Sequence, residues 1–125
     1  MKLIFVSNEK ALYVGPALWL DQQPDMEVIG TFDTRTAMDS LVTLEGTQPD
    51  FLLIECTWTD ASVLELLSQL QKLEKQPRTI VLATRAGSKQ IALDAGADAF
   101  VQAGDGTKKL LTTIRSLNLG MNYAV

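Results

Sequence analysis

The stretch that most constrains the fold is Pro49-Asp50-Phe51-Leu52-Leu53-Ile54-Glu55. Four consecutive apolar residues, without alternation, specify a short strand covered on both faces, like a central strand of a parallel sheet. A single carboxylate, Glu55, stands at its carboxyl end, the edge where open α/β sheets hold their sites.

Four other apolar runs fit the same architecture. They are Leu3-Ile4-Phe5-Val6, Met26-Glu27-Val28-Ile29-Gly30, Thr79-Ile80-Val81-Leu82-Ala83 and Asp98-Ala99-Phe100-Val101. Helical patterns separate the five runs. Lys10 to Gln22 carries Leu12, Val14, Leu18, Trp19 and Leu20, interrupted by Pro16. Proline lacks an N–H and clashes with the preceding turn, so this helix either kinks at Pro16 or starts its regular part there. A distorted first half is the expectation. Asp33 to Leu44 reads as a second helix, capped by Thr34 and closed by Gly46. Asp60 should cap a strong helix from Ala61 to about Leu73, whose apolar face includes Val63, Leu66, Leu67 and Leu70. Ser88 to Asp94 makes a short helix ending at Gly96. Thr107 should cap a last helix bearing Leu110, Leu111, Ile114 and Leu117 at helical spacing.

Five strands alternating with five helical patterns through short loops specify an α/β fold. It is a three-layer, doubly wound parallel sheet with helices on both faces, a single domain over 1–120 with a tail at 121–125.

Composition narrows the function. Lys and Arg number 11 against 15 Asp and Glu, a net charge of −4. The basic residues are scattered, which argues against direct nucleic-acid binding, since phosphates require a cationic patch. No run approaches the ~20 apolar residues of a membrane helix. The amino terminus is too short for a signal peptide and reads as the first strand. With 46% hydrophobic residues and a mean hydropathy of +0.10, a compact soluble domain is expected. Cys56 is the only cysteine, so no intrachain disulfide can form and a cytoplasmic location is expected. Cys56 itself reads as a small buried apolar residue rather than a redox switch. The chain has no histidine, which removes imidazole metal sites and His-based nucleophile–base pairs and argues against an enzyme.

Taken together, several stretches resemble a response-regulator receiver (CheY-like) domain, particularly those of helix-turn-helix (LuxR/NarL-type) transcription regulators. Gln23-Pro24-Asp25-Met26-Glu27-Val28-Ile29-Gly30 is similar to that subgroup's second strand and its approach. Pro49-Asp50-Phe51-Leu52-Leu53-Ile54 is similar to the approach to the phosphorylated position. Thr79-Ile80-Val81-Leu82 and Ala95-Gly96-Ala97-Asp98-Ala99-Phe100 are similar to the fourth and fifth strands. The resemblance runs from Lys2 to about Leu117. It implies a flavodoxin-like sheet of order 2-1-3-4-5 with the site above strands one, three and four.

It also implies a chemistry that this chain does not spell. Receivers accept a phosphoryl group on an aspartate, with Mg²⁺ held by that aspartate and an acidic pair after strand one. Here the acceptor position is Glu55 and the acidic-pair positions are Ser7 and Asn8. The switch hydroxyl falls on Ala83 and the lysine on Ala103. Thr59, beside Trp58, replaces the proline that usually follows the acceptor loop. The expectation is therefore a degenerate pseudo-receiver, with Mg²⁺ binding weak or absent and no other cofactor or metal. It would act by phosphorylation-independent contacts with a signalling kinase, regulator or output domain. Glu55 has two readings: a half-exposed acid kept charged by water, or a built-in phosphomimic. Trp58 is either a partner anchor or a lid over the pocket. A homodimer through helix four, strand five and helix five would use Lys89, Asp98, Lys108, Lys109 and Arg115. The alternatives are a small-ligand sensor, with Ser7, Asn8, Thr84 and Gln102 lining the crevice, or a receiver phosphorylated on a non-standard acceptor.

Overall fold

The computed structural model describes residues 1–7, 17–85, 87–102 and 106–120, apart from the side chains of Val42, Leu44 and Glu45. Pro16 and its kink, Asn8, Ala103 and the tail at 121–125 lie outside the described residues.

Five strands form one parallel sheet in the order β2-β1-β3-β4-β5: β1 (Lys2–Ser7), β2 (Glu27–Phe32), β3 (Phe51–Cys56), β4 (Arg78–Ala83) and β5 (Ala99–Gln102). This is the order the resemblance implies. The central run is buried on both faces as its lack of alternation requires, with Phe51, Leu52, Leu53 and Ile54 each at most 1% exposed. Residues of odd number on β3, Phe51 and Leu53, join Leu3, Phe5, Ile80 and Leu82 in one apolar layer. Those of even number, Leu52 and Ile54, join Ile4, Val6, Val81 and Phe100 in the other. The split follows from a strand's period of two.

Each layer is closed by helices. α1 (17–21) and α6 (Thr107–Asn118) cover the first face through Ala17, Leu20, Leu110, Ile114 and Leu117. α2 (Thr34–Asp39), α4 (Ala61–Leu70) and α5 (Ser88–Asp94) cover the second through Ala37, Val63, Leu66, Leu67 and Ala92. The expected second helix is split: α2 ends at Asp39 with Ser40 as its C-cap, and α3 (Leu41–Thr47) follows as a separate helix of about two turns.

Helix boundaries correct the sequence reading in four places. Asp33, not Thr34, caps α2: its Oδ1 accepts from Thr36 N at 2.7 Å, while Thr34 is the first helical residue and is buried. A carboxylate competes well for the orphan amides of a first turn. Gly46 does not close the helix, which runs on to Thr47, and Gln48 takes the left-handed conformation at φ 51°. The N-cap of α6 is Gly106 at φ 86°, and Thr107 lies inside the helix. α4 stops at Leu70, short of Leu73. Asp60 caps α4 as expected, its Oδ1 accepting from Ser62 N and Val63 N. The hydrogen bond from the Ser62 hydroxyl holds the Asp60 carboxyl below its ordinary pKa.

Because neither face of β3 meets water, truncation should cost the same order on both sides. Leu53→Ala and Ile54→Ala are each expected to lower the unfolding free energy by about 2–5 kcal/mol, read from urea titrations. A strand with one wet face would tolerate one of the two.

Candidate functional site

At the carboxyl edge of the sheet the register aligns four residues in a row. Ser7 pairs with Glu55, Glu55 with Leu82, and Leu82 with Val101. In a parallel, in-register sheet such a row leaves the same face, here the one covered by α6. Glu55 therefore continues the series Phe51, Leu53 into the layer under α6, and only 7% of it is exposed. The reading of Glu55 as a half-exposed acid kept charged by water is corrected accordingly. Its Oε2 accepts no hydrogen bond among the described residues, and Glu55 has a further interaction.

Beneath the amino-terminal end of α6 lies a cavity of about 100 Å³, lined by Glu55, Leu82, Val101, Gln102, Gly106, Thr107 and Leu110. Gln102, one of the four crevice residues expected from the sequence, lines it and donates from Nε2 to Thr84 O at 3.4 Å. Ser7 is buried at the head of β1, 4% exposed, and Thr84 is exposed; neither is in the lining. Ala83 is fully buried in the opposite layer, opposite Cys56 and Gln102.

The donors among the described residues do not by themselves make a Mg²⁺ site. The ion demands near-octahedral oxygen ligands, usually with one or two carboxylates, and gives up water reluctantly. The described residues offer one carboxylate, Glu55, beside the neutral hydroxyl of a buried serine. No group of three or more His, Cys, Asp or Glu able to hold a metal occurs among them.

The loop after β3 is fastened in a way that sequence reasoning missed. Thr84 N donates to Cys56 O at 3.2 Å and Arg85 N to Thr57 O at 3.3 Å, prolonging the β3–β4 pairing past both strand ends. Thr59 N donates to Ser88 Oγ at 2.7 Å, and the Ser88 hydroxyl donates in turn to Thr59 Oγ1. Both residues are buried. Trp58 is 37% exposed, and a Cβ on Gly87 would sit 3.5 Å from its ring. The indole thus covers Gly87 rather than the cavity, so its reading as a lid over the pocket is corrected. A proline at position 59 could not donate the backbone bond. Its replacement by threonine was visible in the sequence, but the partner lies 29 residues away.

Cys56 is half-buried at the end of β3. Burial first, then the nearby Asp60, push its thiol up to about 11, so it is a poor nucleophile at neutral pH.

On the α5–β5–α6 face, two of the five expected charges have intramolecular work. Asp98 Oδ2 accepts from Thr79 N at 2.7 Å, tying the starts of β4 and β5 together. Arg115 is bidentate to Asp25, Nε to Oδ2 and Nη2 to Oδ1, each at 3.1 Å. The guanidinium holds the Asp25 carboxyl below its ordinary pKa, and the carboxylate raises that of Arg115. Lys108 is exposed, and Lys89 and Lys109 are partly so.

A five-stranded parallel sheet in this order, layered by helices on both faces with the site at its carboxyl edge, is the architecture of response-regulator receiver domains. The comparisons agree with it. The response regulator protein VraR of Staphylococcus aureus is 24% identical over 122 residues, 96% of this chain and 57% of that protein. The chain thus spans little more than half the length of the curated relatives it matches. The isolated receiver domain of RcsB from Salmonella enterica serovar Typhimurium superposes with a TM-score of 0.83 at 17% identity, covering 100% of this chain and 92% of that one. The receiver domain of NarL from Mycobacterium tuberculosis gives 0.79 at 14% identity, covering 95% and 96%. No family model matches. The chain thus has the fold of response-regulator receiver domains, and its sequence is similar to that of a response regulator.

Ser88→Ala should lower stability by about 1–3 kcal/mol, because the buried amide and hydroxyl of Thr59 lose their partner. Hydrogen exchange at the Thr59 amide should accelerate in the same variant. Unchanged exchange would show that the loop is held by other contacts.

Proposed function

We propose that this domain is a pseudo-receiver, a signalling module that works through protein–protein contacts without being phosphorylated at the acceptor position. The observation that carries the reading is the burial of Glu55 in a largely apolar cavity, with neutral Ser7 beside it in the row.

Phosphoryl transfer depends almost entirely on positioning and on neutralising charge. The extra methylene of glutamate displaces its oxygen by about one carbon–carbon bond, ~1.5 Å, and errors of that size are costly in a positioned reaction. Neutral oxygens at Ser7 and Asn8 do not assemble an Mg²⁺ site, so the developing charge would go uncompensated. The methyl groups of Ala83 and Ala103 supply neither the hydroxyl nor the ammonium through which receivers read a phosphoryl group. The clasp between Thr59 and Ser88 supports the same reading, because it ties down a loop beside the site.

The reading includes the following. The module has no catalytic activity and no cofactor. Its partners are proteins of the two-component type, a kinase, a regulator or an output domain. Trp58 anchors a partner, and the α5–β5–α6 face, where Lys89, Lys108 and Lys109 keep exposed charge, serves for pairing with a second copy. A cytoplasmic location is supported by the single thiol.

Incubation with acetyl phosphate and Mg²⁺ should leave the intact mass of the protein unchanged. Glu55→Asp alone should not restore labelling, since the metal ligands are still missing. A stoichiometric acyl phosphate on Glu55 would overturn the reading.

A further inference from the structure

We propose that the groove between α2 and α4, on the face of the sheet opposite the cavity under α6, is a binding site for a free aliphatic α-amino acid. The inference goes beyond the pseudo-receiver reading and does not depend on the state of Glu55. The groove is lined by Thr34, Arg35 and Met38 of α2 and by Ser62 and Glu65 of α4, and it holds about 330 Å³, at the small end of ligand sites.

Charge selects the class of ligand. The two walls carry opposite signs, Arg35 on α2 and Glu65 on α4, and both residues are exposed. Among the described residues neither enters an ion pair, with the other or with a third group. The acids at the starts of the two helices are held by first-turn amides: Asp33 accepts from Thr36 N at 2.7 Å and Asp60 from Ser62 N at 3.0 Å. Arg35 acts on Asp33 only through space. Glu65 accepts one long hydrogen bond, from Gln69 Nε2 at 3.3 Å, which is weak at that length. A ligand of a single sign would be drawn to one wall and repelled by the other. A zwitterion satisfies both. Its carboxylate takes the guanidinium fork of Arg35, a bidentate match, and its ammonium donates to Glu65. The Ser62 hydroxyl donates to Asp60 Oδ1 at 2.6 Å, which leaves its lone pairs for the same ammonium.

Size and polarity select within the class. Met38 is partly buried against the core layer under α2 and α4 and supplies apolar surface between the two charges, to which the stems of Arg35 and Glu65 add. Its unbranched thioether adapts to alkyl groups of different shape. At ~30 Å³ per water the groove has space for roughly eleven waters, about as many as the non-hydrogen atoms of valine or leucine. Such a side chain lies on Met38 while the two head groups meet the rims, whereas glycine leaves the methionine uncovered.

The test is a titration of the full chain with L-leucine, L-valine and glycine, read by amide shifts at Arg35, Met38, Ser62 and Glu65 and by the melting temperature. N-acetyl-L-leucine, which lacks the ammonium, and L-leucinamide, which lacks the carboxylate, serve as controls at matched ionic strength. The proposal expects saturable shifts with leucine and valine, a melting temperature that rises with the same saturation, and binding at least tenfold weaker for glycine and for both controls. Both charged residues are exposed, so their replacement leaves the fold intact. Arg35→Gln should weaken leucine at least tenfold and leave leucinamide unchanged, since that ligand has no carboxylate to lose. Glu65→Gln should weaken leucine likewise and leave N-acetyl-leucine unchanged. Shifts that are linear, that glycine matches, or that persist at full affinity in either variant would overturn the proposal. An acyl phosphate on Glu55 would instead sink the pseudo-receiver reading, so the two fail on separate measurements.

Discussion

The positions of the site residues are inherited from a strand that has water on neither face. β3 lies between β1 and β4, and its alternating side chains fill both apolar layers of the domain. Alternation does not stop where the apolar residues do. The next residue after Ile54 must point the way Phe51 and Leu53 point, into the layer under α6, and that residue is Glu55. A carboxyl group is thus carried into a nearly dry place by the geometry of the strand that precedes it. Most of the chemical character of the site follows from that one placement.

The surroundings of Glu55 are consistent in what they omit. A receiver of the phosphorylated kind concentrates acids, a hydroxyl and an ammonium around its acceptor so that a transferred phosphoryl group is both paid for in charge and sensed. Here Ser7 and the apolar pair Leu82 and Val101 stand in the row of the carboxylate, and Ala83 faces the opposite layer. The loop beside it is bound down by the exchange of hydrogen bonds between Thr59 and Ser88, with Trp58 laid on Gly87. Substitution at position 59 therefore does two things at once: it removes the stiffness of a proline ring and adds an amide donor that fixes the loop to the start of α5. A module built this way is suited to presenting one surface steadily.

Much of this was legible in the residues. Apolar runs without alternation located the strands, the spacing of Leu110, Ile114 and Leu117 located α6, and Asp60 before an apolar helix gave its cap. The sheet order was reached through resemblance, since strand pairing is not written locally. Two things were hidden for physical reasons. The break at Ser40 and the left-handed Gln48 depend on how the chain must turn to enter β3, which outweighs the modest intrinsic preference that pointed to Gly46. The roles of Arg115 and Asp98 depend on partners 90 and 19 residues away, so exposed charge in the sequence became internal pairing in the fold. The burial of Glu55 could have been read, because the period of two already assigned it to the face of Leu53. A polar residue at a strand end was instead credited with water that the covering helix excludes.

The central claim is that the acceptor position is closed to phosphoryl chemistry. It is tested most directly by recording the amide spectrum of the protein while beryllium fluoride, an analogue of the transferred phosphoryl group, is added with Mg²⁺. The account predicts no saturable change at Ser7, Glu55, Ala83 or Gln102. Saturable shifts at those positions that require both the fluoride complex and the metal would contradict it.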